Sequence, residues 1–263
     1  MRNQRESSSI QSVTRALRAL EMIAEAGELG VTELGRRLGV HKATASRLAA
    51  TLAERGLVER DPITDKYRLG FALIHLAGAA MAGLDLVSTS RPVLEDLAEQ
   101  THETVNLGVL SGDDLVCIDQ VTGTRSIVSV SWVGKRTPVH CTSNGKVLLA
   151  FMEERERTRL LARPLERRTP RTIIDPDALR AQLQEVRVRG YAQTMEELEE
   201  GLNAVAAPVR QGNGEVVAAL NVSGPAFRMR PVDLPRIASV TIEAANAASR
   251  RLGYVEQRRL VGG

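Results

Sequence analysis

The sequence predicts an α+β fold in two parts, an N-terminal winged helix-turn-helix and a C-terminal antiparallel sheet with helices on its faces. Residues 31–70 carry the pattern of two short helices joined by a tight turn and followed by a β-hairpin. From Thr104 the apolar spacing changes to that of strands, with helices and a second hairpin after them. We therefore expect a winged domain over 1–70, a linker helix over 71–89, a sheet domain over 90–256 and a tail over 257–263.

An amphipathic helix is predicted at the start of the winged domain, over Ser12–Ala26. Such a helix braces the motif or pairs with its copy in a dimer. The apolar residues expected on its inner face are Val13, Ala16, Leu17, Leu20 and Ile23. After it, Thr32 is expected to cap a short helix that packs through Leu34 and Leu38 and ends at Gly39.

A second helix is predicted from His41, and its outward face has the composition of a DNA-reading helix. The inward stripe at helical spacing consists of Ala45, Leu48, Ala49 and Leu52. Short side chains on the other face let the helix approach the major groove, where Arg47 can bond a guanine edge or a phosphate. Strands over Leu57–Arg60 and Lys66–Leu69, with a turn-rich tip between them, form the wing. The candidate DNA contacts are Lys42, Ala43, Thr44, Ser46, Arg47 and Thr51 on the helix and Lys66 and Arg68 on the wing.

Charge separates this interpretation from the alternative, a helix-turn-helix that contacts no nucleic acid. Residues 1–70 hold 12 Lys and Arg against 9 Asp and Glu, so the whole net charge of +3 lies in the winged domain. An excess of three gives only a moderate sequence-independent attraction to DNA. We therefore expect two or more copies to bind one double-stranded DNA.

Composition argues against several classes of protein. The 43% hydrophobic content is enough for real cores, but no apolar run approaches the ~20 residues that cross a bilayer. The polar stretch Met1–Gln11 carries no export signal, so we expect a cytoplasmic protein with no membrane partner. Cys117 and Cys141 lack CxxC spacing, so neither a disulfide scaffold nor a zinc site is indicated, and we expect no cofactor or metal. Aromatic residues make up only 3%, which argues against single-strand binding by base stacking.

The C-terminal part is predicted to alternate between strands and helices. The expected strands are Thr104–Leu110, Leu115–Val121, Ser126–Trp132, Asn203–Arg210 and Glu215–Ser223. The expected helices are Pro92–Thr101, Asn144–Met152, Glu153–Ala162, Pro176–Arg189 and Pro235–Leu252. Pro92 is placed in the first turn of its helix. Asp175 is expected to cap the Pro176 helix and Gly190 to end it.

The chemistry of this part is expected where a strand gives way to a helix, at residues 140–146. The free backbone amides of Ser143 to Lys146 would form a small electropositive pocket that suits a carboxylate. The alternative is plain capping of the helix by Ser or Thr. A nucleotide-binding loop is excluded, because His140 and Val147 stand where GxxxxGKS or GxxxxGKT needs Gly and a hydroxyl residue.

Two further patterns in this part have competing interpretations. Cys141 next to His140 suggests a hydrolase nucleophile, but neighbours in an extended segment point to opposite sides, so His140 is poorly placed as its base. A redox-sensing regulator using Cys117 and Cys141 is a third possibility. The acidic run 196–200 lacks a nearby His and calcium-loop spacing, and it is interpreted as a solvated turn.

The order of these motifs resembles that of the IclR family of transcriptional regulators, over nearly the whole chain. The motifs are the winged helix of Ser12–Gly70, His140-x4-Gly145-Lys146-x2-Leu149-Ala150, Gly190-Tyr191, Glu196-Glu197-x3-Gly201, Ala206-Ala207-Pro208 and Val222-Ser223-Gly224-Pro225. The resemblance implies a GAF-like C-terminal domain that binds a small metabolite, usually a carboxylic acid or a related catabolic intermediate. It also implies a dimer or dimer of dimers that regulates a metabolic operon as a repressor or activator, and not an enzyme.

The resemblance also implies where the effector binds. The family's pocket falls on Ser143, Asn144, Thr194, Leu202, Ala204, Asn221 and Ser223. Glyoxylate-type members place an aspartate at Thr194 and a cysteine at Ala204, so these two departures put a glyoxylate or pyruvate effector in doubt. The amides and hydroxyls that are present offer neutral donors and acceptors for a carboxylate, amide or ureido group, and Ala204 leaves room for a larger ligand. The leading hypothesis is a metabolite-responsive DNA-binding repressor.

Overall fold

The computed structural model describes residues 10–76, 86–124 and 131–255. Contacts between Cα atoms divide the chain into two compact units, Met1–Leu84 and Asp85–Gly263. None of the described helices is long and apolar enough to cross a membrane.

In the described residues of the first unit, three helices of eight or more residues pack beside a three-stranded antiparallel sheet. These helices are α1 (Gln11–Ala26), α2 (Val31–Leu38) and α3 (Lys42–Glu54). The strands are β1 (Glu28–Gly30), β2 (Val58–Arg60) and β3 (Lys66–Leu69), in the sheet order β1-β3-β2. Residues 72–76 are helical as well. The two helices, the turn and the hairpin follow in the order that the sequence predicts.

Two details of this unit differ from the prediction. Thr32 does not cap α2, because the short strand β1 leads directly into the helix and Gly30 takes the capping position. The core contains Ala19 and Ile23 of α1, whereas Val13 and Leu17 are 52% and 56% exposed. The predicted residues Ala16 and Leu20 are partly buried and pack against this core, so Val13 and Leu17 are the two that do not.

The second unit is built around a six-stranded antiparallel sheet in the order β6-β5-β4-β9-β8-β7. Its strands are β4 (Thr104–Ser111), β5 (Asp114–Val121), β6 (Arg136–Pro138), β7 (Ala192–Met195), β8 (Leu202–Arg210) and β9 (Val216–Pro225). Its helices are α4 (Leu86–Thr101), α5 (Ser143–Phe151), α6 (Glu154–Leu161), α7 (Pro176–Arg189) and α8 (Leu234–Arg251).

Helices cover both faces of this sheet. Successive side chains of a strand point to opposite faces, and here both faces carry buried apolar residues. On one face, branched residues such as Val205 and Leu220 share a core with α4 and α8. On the other face, small residues such as Ala206 and Ala219 let α5 and α7 pack closely. The predicted arrangement of an antiparallel sheet with helices on its faces is confirmed.

The start of this unit corrects the prediction for Pro92. That proline lies inside α4, which begins at Leu86, and not in the first turn of a separate helix. One buried face, with Leu86, Ser90, Val93 and Leu97, runs through the proline. Packing of this face offsets the lost backbone hydrogen bond. The predicted linker helix falls partly on residues 77–85, which lie outside the described residues.

The remaining elements follow the prediction closely, with two short strands as exceptions. The Asp175 side chain accepts a hydrogen bond from the Asp177 amide at 3.0 Å, and Gly190 ends α7 with φ 79°, as predicted. The predicted strand Ser126–Trp132 falls mostly on residues 125–130, outside the described residues; next to it, Val133 forms an isolated bridge with Cys117. Neither β6 nor β7 was predicted.

Candidate functional sites

Helix α3 presents the polar face that the sequence predicts for contact with DNA. Ala45, Ala49 and Leu52 are buried against the core. The exposed candidate contacts on the opposite face are Lys42, Ala43, Ser46, Arg47 and Thr51, and Thr44 is half-buried beside them. The Thr51 hydroxyl donates to the Arg47 carbonyl at 3.0 Å, so it is held within the helix.

A glycine allows α2 and α3 to cross closely. A side-chain carbon added to Gly35 would come within 3.1 Å of the Val40 carbonyl oxygen and 3.4 Å of the Ala45 side chain. This close crossing fixes α3 against α2 and sets the direction of its outward face.

The wing carries the predicted cations Lys66 and Arg68 on β3, with buried Tyr67 between them. Both cations are exposed but already paired with carboxylates. The Lys66 ammonium lies 2.6 Å from a Glu28 oxygen, and the Arg68 guanidinium lies 3.2 Å from a Glu59 oxygen. The sequence does not predict the partner Glu28, because β1 is not predicted beside β3. The partner Glu59 lies within the predicted hairpin, but its pairing depends on the register of β2 with β3.

One cavity of the second unit brings together all seven residues of the predicted effector pocket. The cavity has an empty volume of about 590 Å³, including the part that is open to solvent. Ser143, Asn144, Thr194, Leu202, Ala204, Asn221 and Ser223 all line it. The sequence analysis did not include the lining residues Asn106, Leu115, Cys117, Trp132, Lys135, Thr137, Thr142 and Leu198.

Strand register explains why polar groups meet on this part of the sheet. Asn106 on β4 lies opposite Asn221 on β9, and Ser223 lies opposite Ala204 on β8. The Asn106 amide donates to the side-chain oxygens of Asn221 at 3.0 Å and Ser223 at 3.2 Å. The Asn221 amide in turn donates to the Ser143 hydroxyl at 3.5 Å. This network joins β4 and β9 to the start of α5 around the cavity.

The start of α5 differs from the prediction in two ways. Residues Val139–Cys141 form a 3₁₀ turn and not the end of a strand, so the argument from alternating side chains does not hold there. The Thr142 hydroxyl caps the helix by accepting from the Gly145 amide at 3.2 Å. The Lys146 amide donates to the Thr142 carbonyl at 2.9 Å. Only the amides of Ser143 and Asn144 are therefore left to a ligand, and not the four that were expected.

The cavity is lined by both polar and apolar side chains. Leu115, Leu198 and Leu202 are among the apolar ones. Among the described residues that line it, Lys135 is the one charged side chain, and its ammonium lies 5.0 Å from the centre of the Trp132 ring. The Asn144 side-chain oxygen is buried and has no hydrogen-bond partner among the described residues. A bound ligand with a hydrogen-bond donor would satisfy that oxygen.

A buried ion pair lies close in sequence to residues that line the cavity, with Lys146 on α5 after Asn144 and Glu197 directly before Leu198. The Lys146 ammonium is 2.6 Å from both carboxylate oxygens of Glu197, and the two side chains are 0% and 7% exposed. Burial lowers the pKa of Lys146 and raises the pKa of Glu197, so each group depends on the other for its charge. The expectation that residues 196–200 form a solvated turn is therefore wrong for Glu197. The pair joins α5 to the segment that carries Leu198.

The geometry around the two cysteines gives no support to the nucleophile and redox interpretations. Cys141 is fully buried, and burial raises the pKa of its thiol to about 12. The His140 ring is directed to the Glu166 carbonyl at 2.9 Å, and burial lowers the pKa of this histidine. Burial also raises the pKa of the Cys117 thiol to about 12. Neither thiol is therefore poised to form the thiolate that both interpretations need.

Comparison with known proteins extends over nearly the whole chain. The family models described as "IclR helix-turn-helix domain" and "Bacterial transcriptional regulator IclR C-terminal" match residues 12–62 and 78–250. The chain is 35% identical to the HTH-type transcriptional regulator XynR of Escherichia coli, over 93% of this chain and 98% of that protein. It is 32% identical to the transcriptional repressor IclR of E. coli, over 93% of this chain and 90% of that one.

A solved structure shares the fold of this chain over nearly its whole length. It is an IclR homolog from Microbacterium hydrocarbonoxydans complexed with 4-hydroxybenzoate. Its TM-score to this chain is 0.82 at 28% identity, with coverage of 92% of this chain and 98% of that one.

Proposed function

The chain belongs to the IclR family of bacterial transcriptional regulators, and from that premise we propose that it is a repressor whose affinity for operator DNA is set by a small carboxylic acid. The regulated genes would be a catabolic or metabolic operon near its own gene, in the cytoplasm. The observation that carries the proposal is the convergence of seven predicted pocket residues, from α5, β7, β8 and β9, on one cavity.

Recognition of DNA would rest on paired copies of the first unit. Arg47 would read a guanine edge or a phosphate from the exposed face of α3, with Lys42 and Ser46 beside it. The winged domain has an excess of only three positive charges, which favours binding by a dimer or a dimer of dimers over binding by one subunit. Candidate domain limits for this arrangement are 1–70, 71–89 and 90–256.

The cavity suits a carboxylic acid that also carries a hydrogen-bond donor. The amides of Ser143 and Asn144, with the Asn221 side chain, would bind the carboxylate. The unpartnered Asn144 oxygen would accept from a hydroxyl or amide group of the ligand. Leu115, Leu202 and Trp132 would contact an apolar body of ring size. 4-Hydroxybenzoate, bound by the Microbacterium homolog, combines these three features, so hydroxylated aromatic acids are the first class to test.

Regulation would follow from differential binding. A ligand that prefers one arrangement of the C-terminal domains shifts the population toward it and so changes the spacing of the recognition helices. Helices that no longer match two half-sites bind the operator less tightly.

The intrinsic fluorescence of the protein offers a direct test of the ligand class. The chain has one tryptophan, and Trp132 lines the cavity. Titration with hydroxybenzoates, aliphatic carboxylic acids and ureides should quench or shift its emission for at least one compound. The variant Asn221→Ala/Ser223→Ala should lose that response. If none of the compounds changes the emission, or if the variant responds like the wild type, the assignment of the pocket is wrong.

A further inference from the structure

The exposed face of the wing sheet has alternating charges. Arg68 lies at the centre, on β3, with Glu28 of β1 opposite it on one side and Glu59 of β2 opposite it on the other. Lys66 lies on the same face, two residues along β3, and pairs diagonally with Glu28. These four side chains sum to zero charge.

The tip of the wing adds no cation that is free of acidic neighbours. The Arg60 guanidinium pairs with the Asp65 carboxylate. Asp61 accepts hydrogen bonds from the amides of Ile63 and Thr64 at 2.8 and 2.9 Å. The hydrogen bond from Thr64, and to a smaller extent that from Ile63, lowers the pKa of Asp61 and so keeps its negative charge at the tip.

The cations of helix α3, unlike those of the wing, are not paired with carboxylates of residues 10–76. Lys42 and Arg47 are exposed on its outward face. Within residues 10–76, no carboxylate lies within ion-pair distance of either cation. Phosphate can therefore approach α3 without breaking an existing pair, whereas on the wing it has to displace a carboxylate first.

We propose that Glu28 and Glu59 compete with DNA phosphate for Arg68 and Lys66, so that the wing contributes little to sequence-independent binding. The proposal rests on the proposed DNA-binding function and refines it. Non-specific DNA is then held mainly through α3, and the wing cations contact phosphate only where a matched site keeps the wing against the backbone. Acidic side chains that suppress binding to wrong partners increase specificity at the cost of total affinity.

The test measures binding of the full-length protein to double-stranded DNA of random sequence over a series of KCl concentrations. Glu28→Gln and Glu59→Gln each remove one competitor. An exposed ion pair contributes little, so each variant should bind about two- to fivefold more tightly. Each extra phosphate contact should also steepen the plot of log affinity against log salt by about 0.9.

A matched control separates contact from general charge. Glu25→Gln on α1 makes the same charge change at an exposed residue for which no ion pair exists within residues 10–76. It should leave the salt slope at the wild-type value. Adding Arg68→Gln to Glu59→Gln should remove the gain in affinity and slope. Circular dichroism melting would verify that every variant is folded.

The outcomes separate this inference from the function on which it depends. If wild type binds DNA but Glu28→Gln and Glu59→Gln have the slope of the control, the acidic residues do not compete with phosphate and the inference is wrong. If the wild type binds neither random DNA nor DNA flanking its own gene, the proposed function fails, and the inference fails with it.

Discussion

Replacing Lys146 by Met should strongly destabilise the second unit, because it leaves the Glu197 carboxylate buried without a partner. The Lys146 and Glu197 side chains are 0% and 7% exposed, and both carboxylate oxygens lie 2.6 Å from the ammonium. Removal of one partner of such a pair costs about 3–5 kcal/mol. With a urea m-value of about 2 kcal/mol/M, the unfolding midpoint should fall by about 1.5–2.5 M.

The pH dependence of the lost stability provides a second, independent test of the ion pair. Without the ammonium, burial remains the largest influence on Glu197 and outweighs the hydrogen bond from the Ile173 backbone, so the pKa of Glu197 in the folded variant lies above that of the unfolded chain. The folded variant then binds more protons than the unfolded one as the pH rises past the ordinary glutamate pKa. Its stability should therefore fall as the pH rises through the raised folded-state pKa, and should recover on acidification.

Urea unfolding of wild type and variant, followed by circular dichroism at about pH 5 and about pH 8, measures both effects. Arg180→Met is the control, since Arg180 pairs with Asp177 at the surface of the same unit. It should cost less than about 1 kcal/mol. Adding Glu197→Gln to Lys146→Met should recover much of the loss. A cost for Lys146→Met that is as small as the control's, or larger at pH 5 than at pH 8, would show that Lys146 does not compensate a buried Glu197 carboxylate.

Three further variants test whether DNA binding and ligand binding reside in separate units of the chain. Arg47→Ala should abolish specific operator binding in a gel-shift assay and leave ligand affinity intact; an equal loss of both would contradict the assignment of the domains. Asn221→Ala/Ser223→Ala should remove the ligand response and keep operator binding, and a retained response would contradict the assignment of the pocket. Cys141→Ala should keep both DNA binding and the ligand response, whereas loss of both in a folded variant would favour the nucleophile or redox alternatives.

Local patterns were enough to predict the parts of the fold that are long or marked by special residues. Helix α3 was found from its apolar stripe, and α7 from Asp175, Pro176 and Gly190. Each of these signals acts within one or two turns of the chain. The strands β1, β6 and β7 contain only three or four residues, which is too short for an alternating pattern to be distinguished from a loop. The strands β2 and β3 are as short but are predictable from the Pro- and Asp-containing turn between them.

Part of the cavity lining could be predicted from the family resemblance, whereas contacts that depend on tertiary structure could not. The seven expected pocket residues lie around one cavity, but Asn106 was missed because its role comes from register with Asn221 on a strand 115 residues away. The acidic run predicts a solvated turn at Glu197, because its partner Lys146 lies 51 residues earlier and no local pattern indicates the pair. Pairing of Lys66 with Glu28 likewise requires the sheet order.

Binding of the full-length protein to the DNA flanking its own gene, with and without the compound that changes Trp132 fluorescence, is the decisive measurement for a ligand-responsive repressor. We expect a specific complex in a gel-shift assay and a lower affinity for that DNA when the compound is present. No complex with any neighbouring DNA would contradict this expectation. So would a compound that fills the cavity and leaves the affinity for DNA unchanged.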